Sequence, residues 1–113
     1  MYSISVYITS FNKGNYLSQA ITSVLNQSLH PEEIIIVDDG STDNSREIIK
    51  GFSSRYPDHI KPIFNENNYG IAKTRNIAIS HAIGELVTFV DGDDYLFPLK
   101  LEREVKIIRN GNF

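Results

Sequence analysis

Leu86-Val87-Thr88-Phe89-Val90-Asp91-Gly92-Asp93-Asp94 is an apolar, β-branched run that stops abruptly in three carboxylates spread over four positions. A buried strand that delivers acids at its carboxyl end is how open α/β sheets present a ligand site. Carboxylates this close repel one another, and a divalent cation relieves the repulsion. Asp91-Gly92 is also a strong hairpin signal, so a plain turn stays open as the alternative. Against the hairpin, Tyr95-Leu96-Phe97-Pro98 carries a proline where a return strand needs a backbone donor.

The segments before it repeat the same grammar. Ile34-Ile35-Ile36-Val37 is apolar without alternation, the mark of a parallel strand covered on both faces, and it runs into Asp38-Asp39-Gly40-Ser41-Thr42-Asp43-Asn44. Ser3 to Ile8 reads as a first strand with Ile4, Val6 and Ile8 on one face, followed by the loop Thr9-Ser10-Phe11-Asn12. A short strand is expected near Ile60 to Phe64. Between these lie amphipathic helices. Tyr16, Leu17, Ala20, Ile21, Val24 and Leu25 form the apolar stripe of the first, and Ile48, Ile49 and Phe52 that of the second, from Ser45 to about Arg55. Asn44 and Glu47 have the spacing of a capping box for that second helix.

A third helix spans Ile71 to about Ala82 with Ile71, Ala78, Ile79 and Ala82 as its buried stripe, and Gly84 closes it. Arg75 falls within that stripe, and a guanidinium there needs a partner or an anion, because an unpaired buried charge is prohibitive. Leu99 to Ile108 is again helical in pattern and stops at Asn110-Gly111-Asn112-Phe113, which reads either as a natural helix end or as a boundary inside a larger domain.

Strand–helix alternation predicts an α/β fold with a mostly parallel open sheet flanked by helices. The loops after Ile8, Val37 and Val90 then share one edge, which gathers Phe11, Asn12, Asp38, Asp39, Asp91, Asp93 and Asp94. An aromatic face, several acceptors, a metal and a nearby arginine suit a nucleotide diphosphate.

Composition narrows the classes. At 113 residues, 41% hydrophobic and 22% charged, the chain has material for one core. A net charge of -3 gives no electrostatic footprint for nucleic acid or an anionic membrane. The absence of cysteine excludes a disulfide framework and a thiolate metal site. The amino terminus reads as a strand and not as a signal peptide, and no run approaches the ~20 apolar residues that span a bilayer. His30, His59 and His81 lack ligand spacing, and Gly-x-Gly-x-x-Gly, Walker and nucleophile-elbow motifs are missing.

Six segments then carry a resemblance. They are Ser5-Val6-Tyr7-Ile8-Thr9-Ser10-Phe11-Asn12, Ser23-Val24-Leu25-Asn26-Gln27-Ser28, Ile35-Ile36-Val37-Asp38-Asp39-Gly40-Ser41-Thr42-Asp43, Asn68-Tyr69-Gly70, Thr74-Arg75-Asn76 and Val90-Asp91-Gly92-Asp93-Asp94-Tyr95. In order, they resemble the nucleotide-binding, Rossmann-like half of a family 2 glycosyltransferase with the GT-A fold. The resemblance implies that Thr9 and Phe11 contact and stack the base, usually uracil, and that Asp39 accepts a hydrogen from it. It implies that Arg75 approaches the nucleotide, that Asp91 lies near the ribose and that Asp93, with Asp91, holds Mn²⁺ or Mg²⁺. Asp94 becomes an outer acid of the metal site. Thr9 departs from the proline of many members, which changes loop stiffness more than chemistry.

The activity implied is inverting transfer from a nucleotide-diphosphate sugar to a carbohydrate or lipid-linked acceptor hydroxyl, of the kind used in polysaccharide biosynthesis. The setting implied is the cytoplasm, with peripheral membrane association of the full-length protein. Residues 1–113 are expected to be the donor-binding part, stopping before the acceptor half, where the family keeps its general base. The base is thus expected beyond Phe113, and no catalytic base is assigned within the chain. A non-catalytic nucleotide- or metal-binding module is the alternative. A receiver-type phosphoacceptor domain fits worse, since the acidic pair follows the second strand and no strand-end lysine follows Asp94.

Overall fold

The computed structural model describes residues 2–109 and alternates strand with helix from end to end. The elements are β1 (Ile4–Ser10), α1 (Gly14–Leu25), β2 (Glu33–Asp38), α2 (Ser45–Arg55), β3 (Ile60–Phe64), α3 (Ile71–His81), β4 (Leu86–Asp91) and α4 (Lys100–Arg109). The fold is the α/β open sheet the sequence predicts. Asn110-Gly111, read as the end of the last helix, lies outside the described residues. So does Phe113, the position beyond which the general base is expected, and the structure therefore bears on neither expectation.

The four strands are all parallel in the order β3-β2-β1-β4. The chain steps outward from β1 to β2 to β3, then returns to lay β4 on the other flank of β1. The strand order reverses between β1 and β4, and a crevice opens at the carboxyl ends of these two strands. β4 continues into α4 without an antiparallel return strand, which disposes of the hairpin alternative.

Side-chain alternation divides the core between two faces. Ile4, Val6, Ile8, Ile34 and Ile36 meet Leu17, Ile21 and Val24 of α1, Ile49 of α2 and Leu101 and Val105 of α4. The opposite face is thinner: Tyr7, Ile35 and Val37 pack on Ala78. Here one expectation fails. α3 buries Thr74 and Ala78, whereas Ile71 and Ile79 of the expected stripe are 55% and 49% exposed. α3 sits over β1 and β2 and leaves β4 bare, so the row Ile71, Arg75, Ile79 borders an uncovered flank where Val87 and Phe89 are also exposed. A second correction concerns the α2 cap. Asn44 makes no side-chain cap bond; Asp43 takes that role, accepting from Ser45 N at 2.9 Å.

The edge of the sheet away from the crevice is tied by one buried carboxylate. Glu33 accepts from Ser5 Oγ at 2.6 Å, Ile83 N at 2.7 Å and Lys61 Nζ at 2.7 Å. Burial pushes its carboxyl up, but the bonds from Lys61, Ser5 and Ile83 outweigh this and hold it below its ordinary value. Gly84 completes the tie, donating to Ser5 Oγ at 2.8 Å. Its role is close approach and not helix closure, because α3 already ends at His81, with Ala82 as its extended C-cap. A Cβ at Gly84 would lie 2.6 Å from Ser5 N and 2.7 Å from Ser5 Oγ. Gly84→Ala is expected to cost about 1–3 kcal/mol, seen as a lower urea midpoint at unchanged slope; an unchanged midpoint would refute the contact.

Candidate functional site

Four loops build the carboxyl edge, and the first two are braced to each other. Asn12, at φ 52°, places its side-chain oxygen to accept from Thr42 N at 2.8 Å and Asp43 N at 3.3 Å. Its own N–H donates to Ser41 Oγ at 2.9 Å. Asp43 answers from the other side, accepting from Gly14 N at 2.9 Å at the start of α1. Burial raises the Asp43 carboxyl, yet Ser45 and Gly14 hold it below its ordinary value. The result of this brace is a fixed Phe11, 42% exposed on the wall of the crevice.

The adjacent acids Asp38 and Asp39 part company. Asp38 is fully buried, accepts from Ser41 N at 2.9 Å and faces Arg46 Nε at 3.6 Å, so it belongs to the loop and not to the crevice. Asn12, as the brace described above, is likewise structural. Asp39 points into the crevice and also organises the approach to α3. It accepts from Asn65 Nδ2 at 3.0 Å, Tyr69 N at 2.8 Å and Gly70 N at 3.0 Å. Gly70 has φ 94°, a backbone state that glycine enters freely, which turns two consecutive N–H groups toward the one carboxylate. Burial pushes Asp39 up, but the donors from Tyr69, Asn65, Thr74 and Gly70 hold it below its ordinary value. It is therefore an anion at neutral pH.

Asp91 to Asp94 form a turn closed by Asp94 N donating to Asp91 O at 3.0 Å. Gly92 N donates to Thr9 O at 2.8 Å, stitching the turn to β1. Thr9 Oγ1 donates to Asp91 at 3.4 Å, a contact that proline could not make. Arg75 Nη2 lies 3.9 Å from Asp91, and its guanidinium sits over the Phe89 ring at 5.0 Å. Lys13 Nζ lies 3.2 Å from Asp93. Asp94 faces away and accepts from its neighbour Tyr95 N, so it does not line the crevice.

The crevice has a volume of about 410 Å³. Its lining includes Thr9, Phe11, Asp39, Arg75, Asp91 and Asp93, the six residues to which the resemblance gives nucleotide or metal contacts, but not Asn12, Asp38 or Asp94. It also includes Ser10, Lys13 and Asn68, which were given no such contact. Ser10 Oγ is buried with no hydrogen-bond partner among the described residues. Asn68 could have been found in its Asn-Tyr-Gly segment, and Lys13 from the oddity of a lysine at a helix start. A larger hollow of about 690 Å³ runs along α4, but its walls are mostly apolar and gather no acid pair, so its size does not make it the site.

No group of three or more metal-ligating side chains occurs among the described residues. Asp91 and Asp93 are the two carboxylates at the β4 end of the crevice. Hard oxygen donors in that number fit Mg²⁺ or a similar cation that completes its shell with phosphate oxygens and water. The arrangement fits a cation shared with a diphosphate and does not fit a closed protein cage.

The family model described as "Glycosyl transferase family 2" matches residues 5–113. An uncharacterized glycosyltransferase of Nostoc sp. is 47% identical over 109 residues, covering 96% of this chain and 34% of its own length. The crystal structure of S. aureus TarS 1-349 in complex with UDP-GlcNAc superposes with a TM-score of 0.85 at 32% identity, over 96% of this chain and 31% of that one. The mannosyltransferase PcManGT from Pyrobaculum calidifontis, in complex with GDP-Man and Mn2+, superposes at TM-score 0.74 and 24% identity over 81% and 28%, a likeness of fold. The chain spans between 16% and 42% of the length of the curated relatives it matches.

Proposed function

The chain belongs to glycosyl transferase family 2, and from that premise we propose that residues 1–113 hold the nucleotide-sugar donor of a longer enzyme. The observation that carries the reading is the convergence of Phe11, Asp39 and the Asp91/Asp93 pair on one crevice at the switch point of the sheet. Phe11 takes the face of the base, and Thr9 lies at its edge. Asp39, an anion on the wall of the crevice, accepts from a ring N–H of the base. The TarS complex with UDP-GlcNAc supports uracil as that base. Arg75 is set to turn from Asp91 to the nucleotide, and Asp91 to take a ribose hydroxyl.

Asp93, with Asp91, would hold Mn²⁺ or Mg²⁺, which when bound would supply charge neutralisation to the leaving diphosphate. The reaction is displacement at the anomeric carbon by an acceptor hydroxyl with inversion, the acceptor being a carbohydrate or a lipid-linked sugar. The general base and the acceptor site are left to the part of the enzyme beyond Phe113, a reading supported by relatives about three times as long as this chain. No helix of the described residues is long and apolar enough to cross a membrane; the setting we infer, the cytoplasm or its membrane face, rests on the family resemblance alone.

Thermal unfolding with UDP, with and without Mn²⁺, tests the site. Ligand at about 100 times Kd adds about 2.7 kcal/mol, a rise on the order of 10 °C for a domain of this size. Asp93→Ala is expected to keep the metal-independent part of that rise and lose the rest. A folded wild-type chain that responds to no nucleotide would sink the assignment.

A further inference from the structure

Lys13 has no local reason to be where it is. It occupies the N-cap position of α1, its carbonyl accepting from Tyr16 N and Leu17 N, both at 2.9 Å. The dipole of the helix opposes a cation at that end, and Asp43, not Lys13, supplies the side-chain bond to the first turn. The lysine instead reaches across the mouth of the crevice to Asp93, while Arg75 faces Asp91. Each of the two carboxylates therefore has one protein cation opposite it.

Building on the donor-site reading above, we propose that Lys13 is the resident counter-ion of Asp93, that a divalent cation must displace it, and that the freed ammonium passes to the diphosphate. A divalent cation entering alone would meet Lys13 and Arg75 as like charges. Entering with a diphosphate, it brings an anion that both can turn to. Lys13 thereby couples the two ligands: it holds the metal off the empty site and rewards the pair. The loop brace through Asn12 fixes the Lys13 backbone, so the exchange needs only side-chain rotation between two positions. Both Lys13 and Asp93 are partly exposed, at 42% and 44%, so the contact is weak enough to be broken by a ligand.

The coupling is reciprocal, each ligand tightening the other by the same factor, and this makes the test specific. Free Mn²⁺ is followed by its paramagnetic resonance signal and UDP by calorimetry, each alone and then together, on the wild-type chain, Lys13→Met and Lys13→Arg. Lys13→Met keeps the aliphatic stem and loses the charge. It is expected to bind Mn²⁺ alone about two- to fivefold tighter and UDP alone weaker by a similar factor, so the gain from adding both shrinks. Lys13→Arg is expected to restore the wild-type pattern. Mn²⁺ binding alone that is unchanged or weaker in Lys13→Met, in a wild-type chain that binds UDP, overturns the role of Lys13 and leaves the donor site standing. A wild-type chain that binds neither ligand removes both.

Discussion

Asp39→Asn is expected to lower the stability of the ligand-free domain by about 2–3 kcal/mol, the range for losing a hydrogen-bonded charge in a buried position. The substituted amide keeps one oxygen and places an NH₂ where Tyr69 N, Gly70 N or Asn65 Nδ2 now donates. Donor then faces donor, and the turn that leads into α3 loosens. The same change is expected to weaken UDP about tenfold or more, equally with and without Mn²⁺, if Asp39 addresses the base and not the phosphates as proposed. Urea unfolding and calorimetry read the two effects separately. Lost affinity at full stability would make Asp39 a ligand group only; lost stability at full affinity would make it a brace only, and either result would refute its double duty.

Glu33→Ala is expected to cost about 2–4 kcal/mol, with UDP affinity unchanged because the residue ties the opposite edge of the sheet. Lys61 is half-exposed and returns to water, which keeps the loss below that of a fully buried pair. Ser5 Oγ, on a fully buried residue, has no such recourse. The charge adds a pH signature. The folded carboxyl titrates below its ordinary value of 4.5, so its stabilisation is fully present above 4.5 and is lost as pH falls through the lower, folded value. The stability gap between wild type and Glu33→Gln should therefore be flat toward neutrality and close in acid. A gap that widens in acid would contradict the assignment. Asp39 and Asp43, both held below 3.8, add to the same acid limb.

Much of this was legible because parallel strands leave strong marks. Ile34 to Val37 could be nothing but a strand covered on both faces, and parallel strands put all their carboxyl ends on one edge, so the acids after β2 and β4 had to meet. Three things were not legible. Nothing in a periodicity says which flank of β1 receives β4, and hence that the row Ile71, Arg75, Ile79 would border an uncovered strand. Asp38 and Asp39 differ by one residue, which at a strand end means opposite directions, and composition cannot tell them apart. Asp43 outcompetes Asn44 as a cap because the Asn12 brace draws the loop toward Gly14, a long-range cause invisible to a local motif.

The return of the chain to lay β4 beside β1 sets an order of assembly. β1 finds β2 across 28 residues, as at Ser5 and Glu33, but meets β4 only across 82, as at Thr9 and Asp91. Closing the longer loop adds little entropy per residue, yet distant pairings of this kind form late and slowly. Emerging from the ribosome, the chain can fix the Phe11 wall and Asp39 well before Asp91 and Asp93 exist. The anionic pair is set in after the β3-β2-β1 frame, when β4 arrives on the free flank of β1. If the pair holds the cation as proposed, cation-dependent binding marks chains in which β4 has joined the sheet.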